Sequence, residues 1–401
     1  MLNAHKRLFL LASMIDSTGG GLWRPVAIFY LVLIRELDIA KVGFSLTAGA
    51  IIALLIAGLP AGLIADGLGP SRAILLGCVV RFLSFPWMTN VTSTCEIAVI
   101  VMFVSIGDRL FWCASPGAVR IVFSEENAQL RAFAIINSCR NIGLGLGALF
   151  ATFLISKDGM SVMGAWLIIW GNSLSYLIAG LIISIVIRLN GQHDSEEHKW
   201  RWATLSAFED RKYMAFVVLV AILLLAGKSI EIALPYYFMV ERSFPSWLAS
   251  FAFIGLCFGI PCFQSVSLRL GKKWGCFGAL AWSAFLQAIG YGTIFFLSGD
   301  FFLQIIMIGM ATLLLSLSEA ILGSQIGTAI LLFSRPGYEG RYSAILQFAF
   351  AGTAVFAPLL FTQLLSFSSA VLWGGLAVSV TLGGTGFMLL HRYQLASHEV
   401  R

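Results

Sequence analysis

Arg188-Leu-Asn-Gly-Gln-His193-Asp-Ser-Glu-Glu-His198-Lys199 opens the one long hydrophilic stretch, residues 188–212, in this 401-residue chain. Everything around it is apolar. Hydrophobic residues make up 59% of the chain and charged residues 11%, and the mean hydropathy is +0.89. A soluble globular domain carries about 25% charged residues, so a soluble enzyme is excluded. Twelve spans of about 20 residues need about 240 residues, close to that hydrophobic share. One or two anchors on a soluble domain would leave far more polar sequence.

Working outward from 188–212, apolar runs fall near 8–34, 42–65, 73–89, 97–119, 133–155 and 160–187 on one side. On the other they fall near 213–239, 247–268, 276–297, 302–332, 342–365 and 370–390. The expected fold is an all-α membrane protein with twelve transmembrane helices in two pseudo-symmetric six-helix bundles. Its domains are residues 1–187, a cytoplasmic central loop 188–212, and residues 213–401 with a short tail. The halves echo one another at an offset of 210 residues: Pro25 falls on Pro235, Gly117 on Gly327 and Arg131 on Arg341. Such repeats place a substrate site between the bundles near the bilayer midplane.

Charge sets the orientation. With both termini inside, cytoplasmic segments hold 17 of the 26 Lys and Arg residues, and outside loops hold four: Arg35, Lys41, Lys157 and Arg242. That excess follows the positive-inside rule and accounts for the net charge of +6 without a nucleic-acid partner. The opening apolar stretch, about 27 residues with no small-residue cleavage signature, reads as a first span rather than a signal peptide. Seven scattered cysteines show neither a disulfide framework nor metal-ligand spacing. No histidine lies in a span, which excludes a histidine proton relay. Walker, H-E-x-x-H and G-x-S-x-G motifs are absent, so no catalytic residue and no cofactor is expected. Gly58-x-x-x-Gly62, Gly143-x-x-x-Gly147 and Gly255-x-x-x-Gly259 have the spacing that lets membrane helices approach closely.

Between spans 2 and 3 the chain reads Gly62-Leu-Ile-Ala-Asp66-Gly-Leu-Gly69-Pro-Ser-Arg72. This resembles the signature loop of the major facilitator superfamily, with Gly62, Asp66, Gly69 and Arg72 at its glycine, acidic and basic positions. Gly67 stands where an arginine is usual, and the second-half counterpart Arg269-Leu-Gly271-Lys272-Lys273 has Leu268 where the acid would fall. The resemblance implies that Gly62, Asp66, Gly69 and Arg72 form a conformational latch, with Asp66 accepting hydrogen bonds from a neighbouring helix N-terminus or pairing with Arg72. Span 1, with Gly21, Leu22, Pro25 and Tyr30, is similar to the opening pattern of twelve-span drug:proton antiporters. Arg109 stands where those antiporters place an arginine thought to assist proton transfer. Gly143-Leu-Gly-Leu-Gly147-Ala148 resembles their spaced glycines, with Ala148 in place of the proline.

Nine charges fall within spans: Asp16, Asp108, Glu231 and Glu319 against Arg24, Arg81, Arg109, Arg140 and Lys228. Each costs roughly 2.5 to 3.5 kcal/mol at the bilayer centre and should face a partner or water. At about 1.5 Å per residue Asp16 lies about 13 Å into span 1, and Arg81 and Arg140 lie at similar depths in spans 3 and 5. Lys228 and Glu231, three apart, form an intrahelical pair or line the cavity before Pro235. Asp108 and Arg109 point about 100° apart and serve different neighbours. Glu319 falls on Arg109 at the 210-residue offset, and in the superfamily spans 1, 4, 7 and 10 line the central cavity. Glu319, Asp16, Arg109 and Glu231 are therefore the proton-coupling candidates. Arg24, Tyr30, Trp112, Asp108, Arg140, Lys228 and Tyr236 are the substrate-cavity candidates.

The expected function is proton-coupled efflux of an antibiotic or other toxic organic compound by alternating access. The proton gradient is the energy source, and the basic surplus in the spans favours an anionic or zwitterionic substrate. An importer of a small solute or peptide, a lipid flippase and a non-transporting sensor are the alternatives. Short loops and tails fit a bacterial inner membrane, both termini cytoplasmic, and the resemblance implies a monomer in the lipid bilayer.

Overall fold

A computed structural model of the chain describes residues 4–24, 26–27, 30–156, 159–160, 162–191 and 208–399. Pro25, Lys157 and residues 192–207 of the expected central loop lie outside the described residues. Helix dominates the rest. The helices are α1 (Ala4–Trp23), α2 (Ile39–Ala57), α3 (Pro60–Leu68), α4 (Pro70–Ser84), α5 (Thr94–Val122), α6 (Glu126–Phe153) and α7 (Val162–Leu189). They continue as α8 (Arg211–Tyr236), α9 (Ser246–Phe295), α10 (Phe301–Phe333), α11 (Glu339–Phe367) and α12 (Ser369–Glu399). The only strands among the described residues are Ile155–Ser156 and Gly159–Met160, paired antiparallel.

Among the described residues nine helices are long and apolar enough to cross a membrane, or ten when α2 and α3, bent by 55°, count as one. The chain is a multi-pass membrane protein. Three expected spans differ from separate straight rods. The second bends between α2 and α3, where Pro60 starts a new helix and cannot continue the old one. The eighth and ninth run together as α9, a 50-residue helix broken at Gly275 (φ 68°), a left-handed conformation that favours glycine. Gly69 (φ 78°) makes a similar turn before Pro70 opens α4.

Helix starts follow local chemistry. The Asp210 carboxylate accepts from the backbone N–H groups of Lys212 (3.1 Å) and Tyr213 (3.0 Å) to cap α8. Ser93 accepts from Glu96 N–H (3.3 Å) while the Glu96 carboxylate accepts from Thr92 N–H (3.0 Å), reciprocal bonds of the capping-box kind at α5.

The internal repeat is visible in backbone geometry. Tyr30–Ile34 and Tyr237–Glu241 are both π-helical turns. Each is closed by an arginine N–H, Arg35 to Tyr30 and Arg242 to Tyr237, both at 3.0 Å. Each is followed by a non-glycine residue at positive φ, Glu36 (55°) and Ser243 (52°). The two turns correspond at 207 residues rather than 210.

Two compact units result. The first takes residues up to Ala207 together with Ile330–Phe348, and the second takes Phe208–Ala329 and Ala349 onward. In the first, a Cβ on Gly143 would fall 2.6 Å from the Met14 carbonyl oxygen and one on Gly107 2.5 Å from that of Gly77. α1 therefore lies backbone to backbone on α6, and α4 on α5. In the second, the Ser283 and Ser318 hydroxyls meet at 2.8 Å and those of Ser267 and Ser324 at 2.5 Å, joining α9 to α10. The Tyr291 hydroxyl donates to the Ala226 carbonyl of α8 at 2.6 Å.

Gly145 has no atom within 4 Å of a built Cβ, whereas Gly143 and Gly147 are both crowded by α1 backbone. Gly143→Leu and Gly147→Leu are expected to lower the melting temperature of detergent-purified protein by several degrees or abolish folding. Gly145→Leu is expected to leave it within about 0.5 kcal/mol of the parent. Fluorescence-detected thermal unfolding checks this.

Candidate functional site

The buried centre of the first unit is Arg81 of α4, with 2% of its side chain exposed. Gly77 and Gly107 let α4 and α5 close up beside it. Its Nη2 lies 3.0 Å from Asp16 Oδ1 of α1, and its Nη1 donates to Asp108 Oδ1 of α5 at 2.9 Å. The guanidinium also lies over the rings of Tyr176 (4.2 Å) and Phe111 (4.9 Å). Asp16 and Arg81, placed at one depth by the sequence, are thus in contact. Asp108 turns to Arg81 rather than to Arg109.

Beside this triad a small cavity is lined by Asp16, Ser13, Phe111, Trp112, Ser115 and Arg140, among others. Arg140 of α6 lies 4.1 Å over the Trp112 ring. Arg109 is buried at 7% exposure, and its Nε meets no acceptor among the described residues. Arg24 is exposed. Tyr30 is buried, and its hydroxyl donates to the Met88 carbonyl at 3.0 Å, tying the π-turn to the 3-10 turn Phe85–Asn90 that follows α4.

Elsewhere in the first unit, the Gly340 N–H donates to Asp66 Oδ1 (2.7 Å) and the Arg341 N–H to Oδ2 (3.2 Å). The Arg341 Nε stands 3.3 Å from the same Oδ2. Asp66 therefore sits on the N-terminus of α11, where free N–H groups and the helix dipole favour an anion. Gly62 permits the approach, since a Cβ there would fall 2.6 Å from the Gly340 carbonyl oxygen. Gly69 supplies the turn and Arg72 the first turn of α4. A second pair stands beside it. Arg120 Nη1 lies 2.6 Å from Glu339 Oε1, while Nη2 donates to the Leu331 (2.8 Å) and Ser334 (3.3 Å) carbonyls at the end of α10.

In the second unit Glu319 of α10 faces α8 at Gly227, where a Cβ would fall 2.7 Å from Glu319 Oε1. The Gln287 Nε2 donates to Oε1 at 3.4 Å. No base lies within ion-pair distance of Glu319 among the described residues. Lys228 and Glu231 pair with each other at 2.9 Å, both substantially exposed. Tyr236 is exposed, and Pro235 just before it leads into the second π-turn. Arg109 belongs to the first unit and Glu319 to the second.

Residues 9–358 match the sequence profile of the Major Facilitator Superfamily. The chain belongs to this superfamily. It is a membrane transporter and not an enzyme. Solved structures of the same fold include a bacterial homologue of the iron transporter ferroportin, in an outward-facing state with soaked iron. It has a TM-score of 0.76 and 14% identity, covering 97% of this chain and 99% of that one. The human organic anion transporter MFSD10 aligns at a TM-score of 0.71 with 14% identity, 97% and 99% covered. The proton:xylose symporter XylE aligns at 0.67 with 14% identity, 98% and 96% covered. No curated protein sequence matches the chain.

Arg81, Glu339 and Gln287 were not among the sequence's site candidates. Arg81 is legible in the sequence as one of five intramembrane bases at the depth of Asp16, though not as the group that joins Asp16 and Asp108, and Glu339 and Gln287 carry no motif. Arg81→Gln is expected to destabilise the protein by about 3 to 5 kcal/mol, because it leaves two carboxylates facing each other without a cation. Adding Asp16→Asn and Asp108→Asn should recover much of that loss. Thermal unfolding of the single and triple variants in detergent checks both outcomes.

Proposed function

We propose that this superfamily member is a twelve-span drug:proton antiporter. It expels an antibiotic or other toxic organic compound, anionic or zwitterionic in character, by alternating access. The observation that carries the proposal is the setting of Glu319. It lies inside a membrane helix, against the Gly227 backbone, held by one amide and free of any ion pair among the described residues. A carboxylate so placed changes its protonation without breaking a salt bridge, and removing charge within the membrane relieves a large solvation cost.

Asp16, by contrast, is tied to Arg81 and is the poorer carrier. Asp66 on the α11 N-terminus is assigned the latch, since its hydrogen bonds to Gly340 and Arg341 are made only while α11 is docked. The basic excess on one side supports both termini in the cytoplasm of a bacterial inner membrane.

Liposomes holding the purified protein and an internal pH dye are given anionic, zwitterionic and cationic antibiotics. A compound should drive proton movement in the parent, and Glu319→Gln should abolish that movement while still binding the compound. Crossing of a compound without proton flux in the parent would remove the antiport reading in favour of uniport or flipping.

A further inference from the structure

α9 carries Ser283-Ala-Phe-Leu-Gln287-Ala-Ile-Gly-Tyr291, three polar side chains spaced four residues apart. On a helix that spacing puts all three on one face. The outer two fix how the face is turned. The Ser283 hydroxyl meets that of Ser318 on α10 at 2.8 Å, and the Tyr291 hydroxyl donates to the Ala226 carbonyl on α8 at 2.6 Å. Gln287 lies between these anchors, fully buried, and its Nε2 donates to Glu319 Oε1 at 3.4 Å. The backbone of Gln287 is thereby held in place, and the freedom left to it is rotation of the terminal amide.

The other end of that amide, Oε1, is buried with no hydrogen-bond partner among the described residues. A buried acceptor left unmet is destabilising, so its place beside a carboxylate calls for a reason. An ionised carboxylate only accepts hydrogen bonds, whereas a protonated one also has an O–H to donate. A half-turn about the last side-chain bond of Gln287 exchanges Nε2 and Oε1, two ends of nearly equal size. One end goes unmet in either orientation, so the choice between them falls on what Glu319 presents.

We propose that Gln287 is the positioning residue for a proton on Glu319: Nε2 donates to the carboxylate, and after protonation Oε1 accepts from the Glu319 hydroxyl. The proton comes from water and returns to water, and Gln287 neither gains nor loses one. Glu319 keeps a hydrogen bond in both states, so neither leaves it a bare polar group in an apolar interior. The charged groups beside Gly227 on α8 are Lys228 and Glu231, which pair with each other, and the titratable group on α9 is Tyr291, whose hydroxyl is engaged by Ala226. Residues 343–365 of α11 and 370–390 of α12 carry no Asp, Glu, Lys, Arg, His or Tyr. The proposal deepens the antiport reading and rests on it, since that reading requires a proton on Glu319.

Infrared difference spectra between acidic and alkaline buffer are recorded for full-length protein in nanodiscs, with its glutamines 13C-labelled at the side-chain carbonyl. The carboxyl C=O band lost in Glu319→Gln belongs to Glu319. In the parent, the appearance of that band on acidification should be accompanied by a shift of one glutamine C=O to lower wavenumber, as Oε1 begins to accept. Gln287→Met, close in length and shape, should abolish the glutamine shift. It should also move the Glu319 band to higher wavenumber, because the acid hydroxyl has lost its acceptor. Should Gln287→Met fail to fold, the labelled parent against Glu319→Gln carries the test, since the glutamine shift should vanish together with the carboxyl band. A Glu319 band unmoved in Gln287→Met, or a parent band with no glutamine shift beside it, would overturn the proposal and leave the antiport reading standing. Both signals in a protein that moves protons with none of the antibiotics would remove the antiport reading and leave the role of Gln287 standing. A parent with no Glu319 band at all would remove both.

Discussion

A guanidinium buried within a bilayer must find its partners in the protein, and Arg81 finds two. Its contacts with Asp16 and Asp108 draw on three helices, α4, α1 and α5, and so fix how those helices face one another. The approach is possible only because Gly77 and Gly107 bring α4 and α5 together and the glycines of α6 and α1 do the same on the other side. The first unit is organised around satisfying one charge. The space left beside it inherits the polarity of the same cluster.

The second unit solves the problem with neutral groups. Paired serines, Ser283 with Ser318 and Ser267 with Ser324, join α9 to α10. Hydroxyl pairs of this kind contribute on the order of 1 kcal/mol each in membranes, and they bring no charge that needs compensation. Glu319 stands out against that background. The two units thus differ: in one, a buried arginine is neutralised by two carboxylates, and in the other the Lys228–Glu231 pair is exposed while Glu319 is met by an amide.

The repeat shows how much of the architecture was legible. Pro25 and Pro235 marked equivalent helices, and the matched π-turns, arginines and positive-φ residues Glu36 and Ser243 lie just beyond them. The 210-residue offset nonetheless slips to 207 at these turns. Apolar runs carry no register, since Leu, Ile, Val and Phe exchange freely on a lipid-facing surface. The Gly275 break in α9 was legible as the basic cluster Arg269, Lys272 and Lys273, though not as a turn made by one glycine. Asp66 was found because a family motif marked it. Its companions Arg120 and Glu339 are separated by more than two hundred residues and were not.

The sequence by itself determined that the chain crosses a membrane many times and which charges lie within its apolar runs. These follow from hydrophobicity and charge summed over about 20 residues, which no packing detail alters. Only the tertiary structure decided which of those charges meet. Facing depends on helix rotation and on close approach at glycines. A turn of 100° per residue separates Asp108, bound to Arg81, from Arg109, which is buried beside it without that partner.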